Sequence, residues 1–398
     1  MILDAEYTDV DMLLGNTGVA AEPLALLNPL AVRFLSKVGE GISKDQKSEF
    51  PDIAALSFWL RKKHLEKIVD EYTQCEYSMG LGLVFHIAPS NVPLNFAYSF
   101  AMGLLSGNSN IVKLPTKSSP QESIVIAAMQ ELFEDKEFSE ILKRTLFLRF
   151  SSGNKIAEAI SVGCQARVIW GGDSTINAVR QLPTGPRTRD VAFSDRYSLS
   201  LIDGREIQEM DDNQLCKLCD KFYNDSYQMD QNACSSPHFV GWLNDRDDVS
   251  KSRFWKKLLD VVSSRYQWSE SQAVEKYTCL LSSIANNSGV LKVEHNDNRL
   301  YRVRIDKFDS KLIDARGRCG FFYEADIDNV DDLLSELGTK VQTITVCGID
   351  SRELYSRLLA VGCLGVDRIV PIGLALDFDV IWDGLDLLKS LSRRVSVK

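Results

Sequence analysis

The sequence predicts an α/β protein: a doubly wound, largely parallel domain followed by a second α/β domain. Two observations carry that expectation. Strand-like and helix-like runs alternate regularly from Leu83 to the helix that opens at "GGDST", as in successive strand–helix–strand units of a parallel sheet. After about Asp195 the texture changes to a basic helix, a hairpin and further short strands. The chain's 398 residues, 44% hydrophobic and 25% charged, fit roughly two or three domains at ~150 residues each. Such a chain buries a large core without disulfide or metal staples.

Taken in order, "PDIAALSFWLRKKHLEKIVDEY" from Pro51 to Tyr72 has helical apolar spacing, with Leu60, His64 and Ile68 near one face. A strand at Leu83–Ile87 leads through "APSNVP" to an apolar helix near 94–105, which Gly107-Asn108 stops. A strand follows at Asn110–Leu114, then a helix near Gln121–Leu132 and a strand at Thr145–Phe150. A Ser151-Ser152-Gly153-Asn154 turn, a helix and a strand at Ala166–Trp170 complete the alternation. The later part contains a helix over Asp212–Tyr227, an Arg- and Lys-rich helix and a hairpin around "HNDNRLYRVRI". A strand at Val341–Val346 and a last short strand in "GCLGVDRIVPIG" follow.

Composition excludes several classes. A net charge of −9 with no basic stripe argues against nucleic acid. No apolar run approaches the ~18 residues of a membrane span. The acidic start MILDAEYTDV is no signal peptide, and nine cysteines without a framework read as reduced thiols of a cytoplasmic protein. Neither GxxxxGK[ST] nor GxSxG occurs, which speaks against P-loop and serine-elbow chemistry.

The segment "YQMDQNACSSPHFVGW" sets Cys234 among small polar residues where a helix pattern gives out and an apolar run begins. A core thiol packs like a small hydrophobe in apolar sequence, so Cys234 is a candidate nucleophile. A metal ligand is the alternative, since Cys216, Cys219, Cys234 and His238 read C-x2-C-x14-C-x3-H. Yet Cys216 and Cys219 fall within an apolar helical run, where packing explains them better. His86, inside a strand, reads as a satisfied core residue. Asn91 is placed at a helix N-terminus, either as an N-cap or as an amide donor to a developing oxyanion. Lys113, Thr116 and Lys117 close one strand and Gly171-Gly172-Asp173 another. Carboxyl ends of parallel strands are where ligands bind, and cations or backbone amides there suit phosphates.

Taken together, "HIAPSNVPLN…GNSNIVKLP", "VIWGGDST" and "DQNACSSP" resemble the I-x-P-W-N-x-P, G-N-x-x-V-x-K-P, F-T-G-S and G-Q-x-C segments of the aldehyde dehydrogenase superfamily. More closely, "FPDIAALSFWLRKKHL", "KVQTITVCG", "GVDRIVPIG" and "IWDGLDLL" resemble the acyl-CoA reductases of bacterial bioluminescence, the LuxC type. The resemblance implies an aldehyde dehydrogenase-like fold: a Rossmann-type NADP-binding domain over residues 1–195, with a tail of residues 374–398 packing back on it, and a catalytic domain over 196–373. It implies reduction of an acyl thioester by NADPH, with Cys234 as acyl acceptor and Asn91 with the Cys234 N–H as oxyanion donors. Pro89, Ser90, Lys113, Thr116, Lys117, Gly171, Gly172 and Asp173 are implied to hold the cofactor. Thr116, where NAD-preferring relatives commonly carry Glu, and the neighbouring Lys117 favour the 2′-phosphate of NADP. The implied partners are an acyl-CoA or acyl-carrier substrate, an acyl-protein synthetase subunit and further copies of the chain. Two departures stand out: Ser90 replaces the usual Trp, and no Glu lies between Asp173 and Asp203. The water-activating base of hydrolytic relatives is therefore missing near Phe193 and Ser194, which suits reduction rather than acid production. The competing reading is a catalytically idle nucleotide-binding partner protein, against which Cys234 itself argues.

Overall fold

A computed structural model describes residues 9–398 apart from Ser152, Asn154 and Arg246 and the side chain of Asn296. The chain divides into two compact units, Met1–Ser194 with Phe378–Lys398, and Asp195–Asp377.

The strands of the first unit are β1 (Val10–Gly15), β2 (Ser78–Gly80), β3 (Leu83–Ile87), β4 (Ser109–Leu114), β5 (Thr145–Phe150), β6 (Ala166–Trp170) and β7 (Arg189–Phe193). Its main sheet runs β1-β5-β4-β3-β6-β7. All pairs are parallel except β1, which lies antiparallel on β5 at one edge. The strands β3 and β6 are buried throughout, because helices cover both faces of a parallel sheet. The helix Asn95–Leu105 between β3 and β4 is buried along its whole length. Gly107 ends that turn in the left-handed region at φ 84°, where an added Cβ would lie 2.3 Å from the Leu24 carbonyl oxygen. Asn108 then uses all four of its hydrogen-bonding positions. Its Oδ1 accepts from the Leu81 and Gly82 amides (2.6 and 3.1 Å), and its Nδ2 donates to the Gly103 and Leu391 carbonyls (3.2 and 2.8 Å).

The helix expected over Pro51–Tyr72 is two helices, Pro51–Trp59 and Lys62–Glu71, and Leu60 belongs to neither. Arg61 is extended (ψ 142°), its Nε donates to the Phe58 carbonyl at 3.0 Å, and its guanidinium lies 3.3 Å from the Phe58 ring centroid. A cation satisfying the last carbonyls of one helix ends it there. Of the expected Ser151–Asn154 turn, Ser152 and Asn154 lie outside the described residues.

The second unit holds β8 (Tyr197–Asp203), β9 (Pro237–Leu243), β10 (Val290–Asp297), β11 (Leu300–Ile305), β12 (Phe321–Asp326), β13 (Val341–Cys347) and β14 (Arg368–Pro371). Their order is β10-β11-β12-β9-β8-β13-β14. Only β10 runs antiparallel, on β11, as the expected hairpin. The helices Asp212–Tyr227 and Val249–Arg265 pack on one face through Phe222, Phe254 and Trp255, with Trp242 of β9 between them. In the returning segment of the first unit, β15 (Ile381–Trp382) and β16 (Leu385–Asp386) form a small hairpin, and β17 (Ser392–Arg394) pairs antiparallel with β2. Among the described residues no helix is long and apolar enough to cross a membrane.

Candidate active site

In the first unit the parallel strands run in sequence order third-second-first-fourth-fifth across β5-β4-β3-β6-β7. The order therefore reverses between β3 and β6. At such a switch point the loops leave the carboxyl ends in opposite directions and open a crevice, the standard ligand site of doubly wound sheets. Pro89, Ser90 and Asn91 follow the end of β3, Lys113, Thr116 and Lys117 end β4, and Gly171, Gly172 and Asp173 follow β6. The sheet thus brings eight expected cofactor residues and Asn91 to the carboxyl ends of three adjacent strands. The Ala88 amide donates to the Lys113 carbonyl at 3.1 Å, tying the β3 loop to β4.

Asn91 is not an N-cap. The helix begins at Asn95, its N-cap position is Leu94, and Asn91 is an exposed residue of the preceding loop. Pro89 and Pro93 bias the residues before them, Ala88 and Val92, away from helical backbone, which delays the helix. Lys113 is half-buried, its ammonium lies 5.2 Å from the Phe150 ring centroid, and burial lowers its pKa. Thr116, Lys117, Gly172 and Asp173 are exposed. Gly172 precedes the eight-residue helix Asp173–Arg180, and a side-chain carbon added there meets nothing within 4 Å. Open space over a glycine at a helix start lets another backbone or a phosphate approach the first amides closely. Asp173 in the first turn already offsets the positive helix end, so this turn offers N–H donors while the cations sit at β4.

Beneath the switch point lies a buried polar relay. Trp170 Nε1 donates to Ser99 Oγ (3.0 Å), which lies 2.7 Å from His86 Nδ1, while His86 Nε2 lies 3.0 Å from Asn110 Oδ1. The Asn110 Nδ2 donates to the Asn108 carbonyl, so its Oδ1 accepts from His86 and fixes the Nε2–H tautomer. Burial pushes the His86 pKa down to about 4. His86 is a satisfied core histidine. Phe193, at the position lacking a base, is buried and stacks on Trp170 with centroids 3.8 Å apart. An apolar ring therefore stands there.

In the second unit Cys234 lies three residues before β9, at the amino end of that strand. It occupies the second position of a turn closed by the Ser236 amide donating to the Ala233 carbonyl at 3.0 Å. Ser198 Oγ donates to the Cys234 carbonyl (2.7 Å) and accepts from the Thr343 amide (3.2 Å), anchoring the cysteine backbone to β8 and β13. Gln231 is the larger anchor. It is 1% exposed, its Nε2 donates to the Pro237 and Phe321 carbonyls, and its Oε1 accepts from the Gly320 and Phe321 amides, all within 2.6–3.1 Å. Asp230 and Gln231 both adopt left-handed backbone (φ 52° and 57°). Two consecutive residues there cost free energy, and surrounding contacts must hold them. Cys234 itself is half-buried. Burial raises the thiol pKa of Cys164 and Cys347 to about 12 and raises those of Cys219, Cys279, Cys319 and Cys363. Those thiols stay protonated and are poor nucleophiles.

The zinc spacing does not correspond to a cluster. Cys219 packs in the helix core with its Sγ toward the Phe254 carbonyl, and His238 directs Nδ1 to the Gly317 carbonyl at 3.0 Å. Among the described residues no group of three His, Cys, Asp or Glu is arranged to hold a metal. Burial, with Arg316 and Arg318 nearby, pushes the His238 pKa down to about 3, so it is neutral and no strong base. Gln231 and Ser198 carry no role in the sequence reading, though Gln231 lies inside "DQNACSSP". A polar residue three before a candidate nucleophile is the signal that could have found it.

With this geometry in place, comparison with known proteins decides the family. Residues 60–394 match the family described as acyl-CoA reductase (LuxC). The chain belongs to that family. It is 24% identical over 302 residues to the long-chain acyl-protein thioester reductase of Vibrio harveyi, covering 74% of this chain and 59% of that one. The chain thus spans less than two thirds of that relative's length. Its fold is that of the aldehyde dehydrogenases. It resembles the NAD-dependent benzaldehyde dehydrogenase of Corynebacterium glutamicum (TM-score 0.62, 11% identity, 92% of this chain and 85% of that one). It equally resembles lactaldehyde dehydrogenase of Escherichia coli (0.61, 12%, 92% and 86%). A third likeness is the glyceraldehyde-3-phosphate dehydrogenase GapN of Methanocaldococcus jannaschii, solved with NADP (0.60, 12%, 92% and 88%).

Proposed function

We propose that this acyl-CoA reductase family member reduces an acyl thioester, carried by coenzyme A or an acyl-carrier protein, to the aldehyde through a thioacyl intermediate on Cys234. The observation that carries the reading is the built turn around Cys234. A half-buried thiol stands on a backbone pinned by Ser198 and Gln231, whereas six of the other cysteines are held protonated by burial. Cys234 Sγ attacks the thioester carbon, the new C–S bond forms, and the carrier thiolate departs and takes a proton. Asn91 and the Cys234 N–H are assigned as donors to the oxyanion. Held by the switch-point residues, a nicotinamide cofactor would supply the hydride that reduces the thioacyl carbon. Collapse of the thiohemiacetal then breaks the Cys234 C–S bond and releases the aldehyde.

The switch-point residues fit a dinucleotide. Pro89, Ser90, Gly171, Gly172 and Asp173 flank the reversal between β3 and β6, and the open face of Gly172 leaves its turn approachable. Lys113, Thr116 and Lys117 supply hydroxyl and ammonium groups at β4. We assign a preference for NADPH, because Thr116 repels no 2′-phosphate and exposed Lys117 attracts it. The first unit is accordingly assigned cofactor binding and the second acyl chemistry. Phe193, near the position where the resemblance puts the water-activating Glu of hydrolytic relatives, stacks on Trp170, and a phenyl ring cannot serve as that base.

Incubation with radiolabelled acyl-CoA tests the reading. Wild type becomes labelled, the label is removed by hydroxylamine, and Cys234→Ala takes none while Cys219→Ala is labelled as wild type. Equal labelling of Cys234→Ala defeats the assignment. Calorimetric titration of the same preparation with NADPH and NADH, binding both equally, defeats the cofactor preference alone.

A further inference from the structure

The loop that carries Thr116 and Lys117 is short and is held from behind by one guanidinium. It joins the end of β4 at Leu114 to the helix Pro120–Phe133. Thr116, Lys117 and Ser118 are exposed, whereas Pro115 and Ser119 at its two ends are half-buried. Exposed side chains on such a loop keep a fixed position only where a second layer of bonds ties its backbone down.

Arg149 supplies that tie. It is the next-to-last residue of β5 and lies opposite Leu114 in the parallel register. Its Nε donates to the Pro115 carbonyl at 2.8 Å, and its Nη2 donates to Glu122 Oε1. Only 16% of the Arg149 side chain and 6% of the Glu122 side chain are exposed. The pair is therefore largely out of water, and the planar guanidinium fixes its direction. One side chain thus bonds both the residue that opens the loop and the first turn of the helix that closes it.

Glu122 gives up a local bond to make this one. Ser119-Pro120-Gln121-Glu122 has the pattern of a capping box, in which the N-cap hydroxyl and the N3 carboxylate each bond the other's amide. The first half is present, with Ser119 Oγ accepting from the Glu122 amide at 3.2 Å. The carboxylate does not return to the Ser119 amide and turns to Arg149 instead. The helices that begin after Ser43, Asp211 and Ser269 make both halves of the box. A residue that breaks a local rule for a distant partner marks a functional demand. The demand here is electrostatic. Glu122 is the acidic residue of that first turn, and an unpaired carboxylate there would oppose a 2′-phosphate on the adjoining loop. Paired with Arg149, it leaves the Lys117 ammonium to set the sign of the charge.

We propose that Arg149 is a positioning residue that sets the preference for NADPH over NADH. Its bond to the Pro115 carbonyl fixes the loop bearing Thr116 and Lys117, and its pairing with Glu122 silences the carboxylate that would repel the 2′-phosphate. Arg149 acts through the loop and through Glu122, not by touching the cofactor. The role rests on the assignment of Thr116 and Lys117 to the adenosine ribose.

Calorimetric titration of the full chain with NADPH and with NADH reads the outcome, with circular dichroism confirming that each variant is folded. Arg149→Gln lowers the ratio of NADPH to NADH affinity about tenfold or more, the order of one contact to a charged group. Glu122→Gln alone keeps the wild-type ratio. Adding Glu122→Gln to Arg149→Gln recovers part of the ratio, because the uncompensated carboxylate is gone. If Arg149→Gln does not fold, Arg149→Lys carries the test. Its ammonium keeps the charge but cannot span both acceptors, so the ratio falls by less. An Arg149 variant with the wild-type ratio overturns the proposal. So does an equal loss for both cofactors, the mark of a purely structural role, or a double variant no better than Arg149→Gln. A wild type without preference, or a Lys117→Ala variant that keeps it, defeats the assignment of the loop itself and is thereby told apart from a failure at Arg149.

Discussion

Replacing Gln231 by Leu removes the anchor of the cysteine turn while nearly conserving volume. The structure fixes what is lost. Two backbone amides, Gly320 and Phe321, lose their acceptor, and two carbonyls, Pro237 and Phe321, lose a donor. A buried polar group left without its partner costs about 1–3 kcal/mol. At the low end of that range, four such groups cost about 4 kcal/mol. Leu retains the strain of the left-handed backbone at this position (φ 57°), so the difference reports the hydrogen bonds alone. In a domain of 150–250 residues 1 kcal/mol shifts Tm by roughly 2–4 °C, so the second unit melts about 8–16 °C lower. Differential scanning calorimetry reads that shift. Alkylation of Cys234 by iodoacetamide, with Cys234→Ser as the blank, reads whether the turn has loosened. A Tm within about 3 °C of wild type, with unchanged alkylation, would show that Gln231 does not hold the turn.

Asn91→Ala separates a catalytic amide from a structural one. Because Leu94, not Asn91, holds the cap position, the variant is expected to lose about 10²–10³ in turnover with cofactor affinity little changed; near-normal turnover would remove the oxyanion role. His86 and His238, with pKa values lowered to about 4 and about 3, stay neutral in the folded chain near neutral pH, so their NMR resonances show no titration midpoint between pH 7.5 and 5. Unfolded imidazoles titrate near 6.5 and take up protons that the folded ones refuse. The stabilising contribution of each is therefore complete above that pH and falls by up to about 1.4 kcal/mol per unit as the solution is acidified toward the folded pKa. A resonance of either histidine titrating near 6.5 would contradict the burial argument.

The sheets were largely legible in the sequence because buried parallel strands are short apolar runs closed by turn residues. Leu83–Ile87, Thr145–Phe150 and Ala166–Trp170 appear with the bounds their sequences suggest. What escaped depends on contacts distant in sequence. Asn108 reads as a helix stop, yet its Nδ2 reaches Leu391. Gln231 reads as one letter of a motif, yet it is bonded to residues near position 320. The helix break at Leu60-Arg61 was hidden because local apolar spacing continues across it, and a single guanidinium on the Phe58 carbonyl decides. Asn91 reads as a possible cap because Asn favours that position, a preference the flanking prolines override.

The pairing of β2 with β17 has a consequence for how the chain is made. These two short strands are separated by the whole of the second unit, and the Asn108 and Arg189 side chains also bond carbonyls in the returning segment. On a ribosome adding 5–20 residues per second, roughly 300 residues emerge between the two partners, which takes about 15–60 s. Throughout that interval the first unit has an open edge at β2 and unfilled hydrogen-bond donors, and the sequence of the second unit, which ends at Asp377, is complete before β17 emerges. The later-encoded body is thus the first able to finish folding. The earlier one keeps an unpaired edge until the last strand arrives.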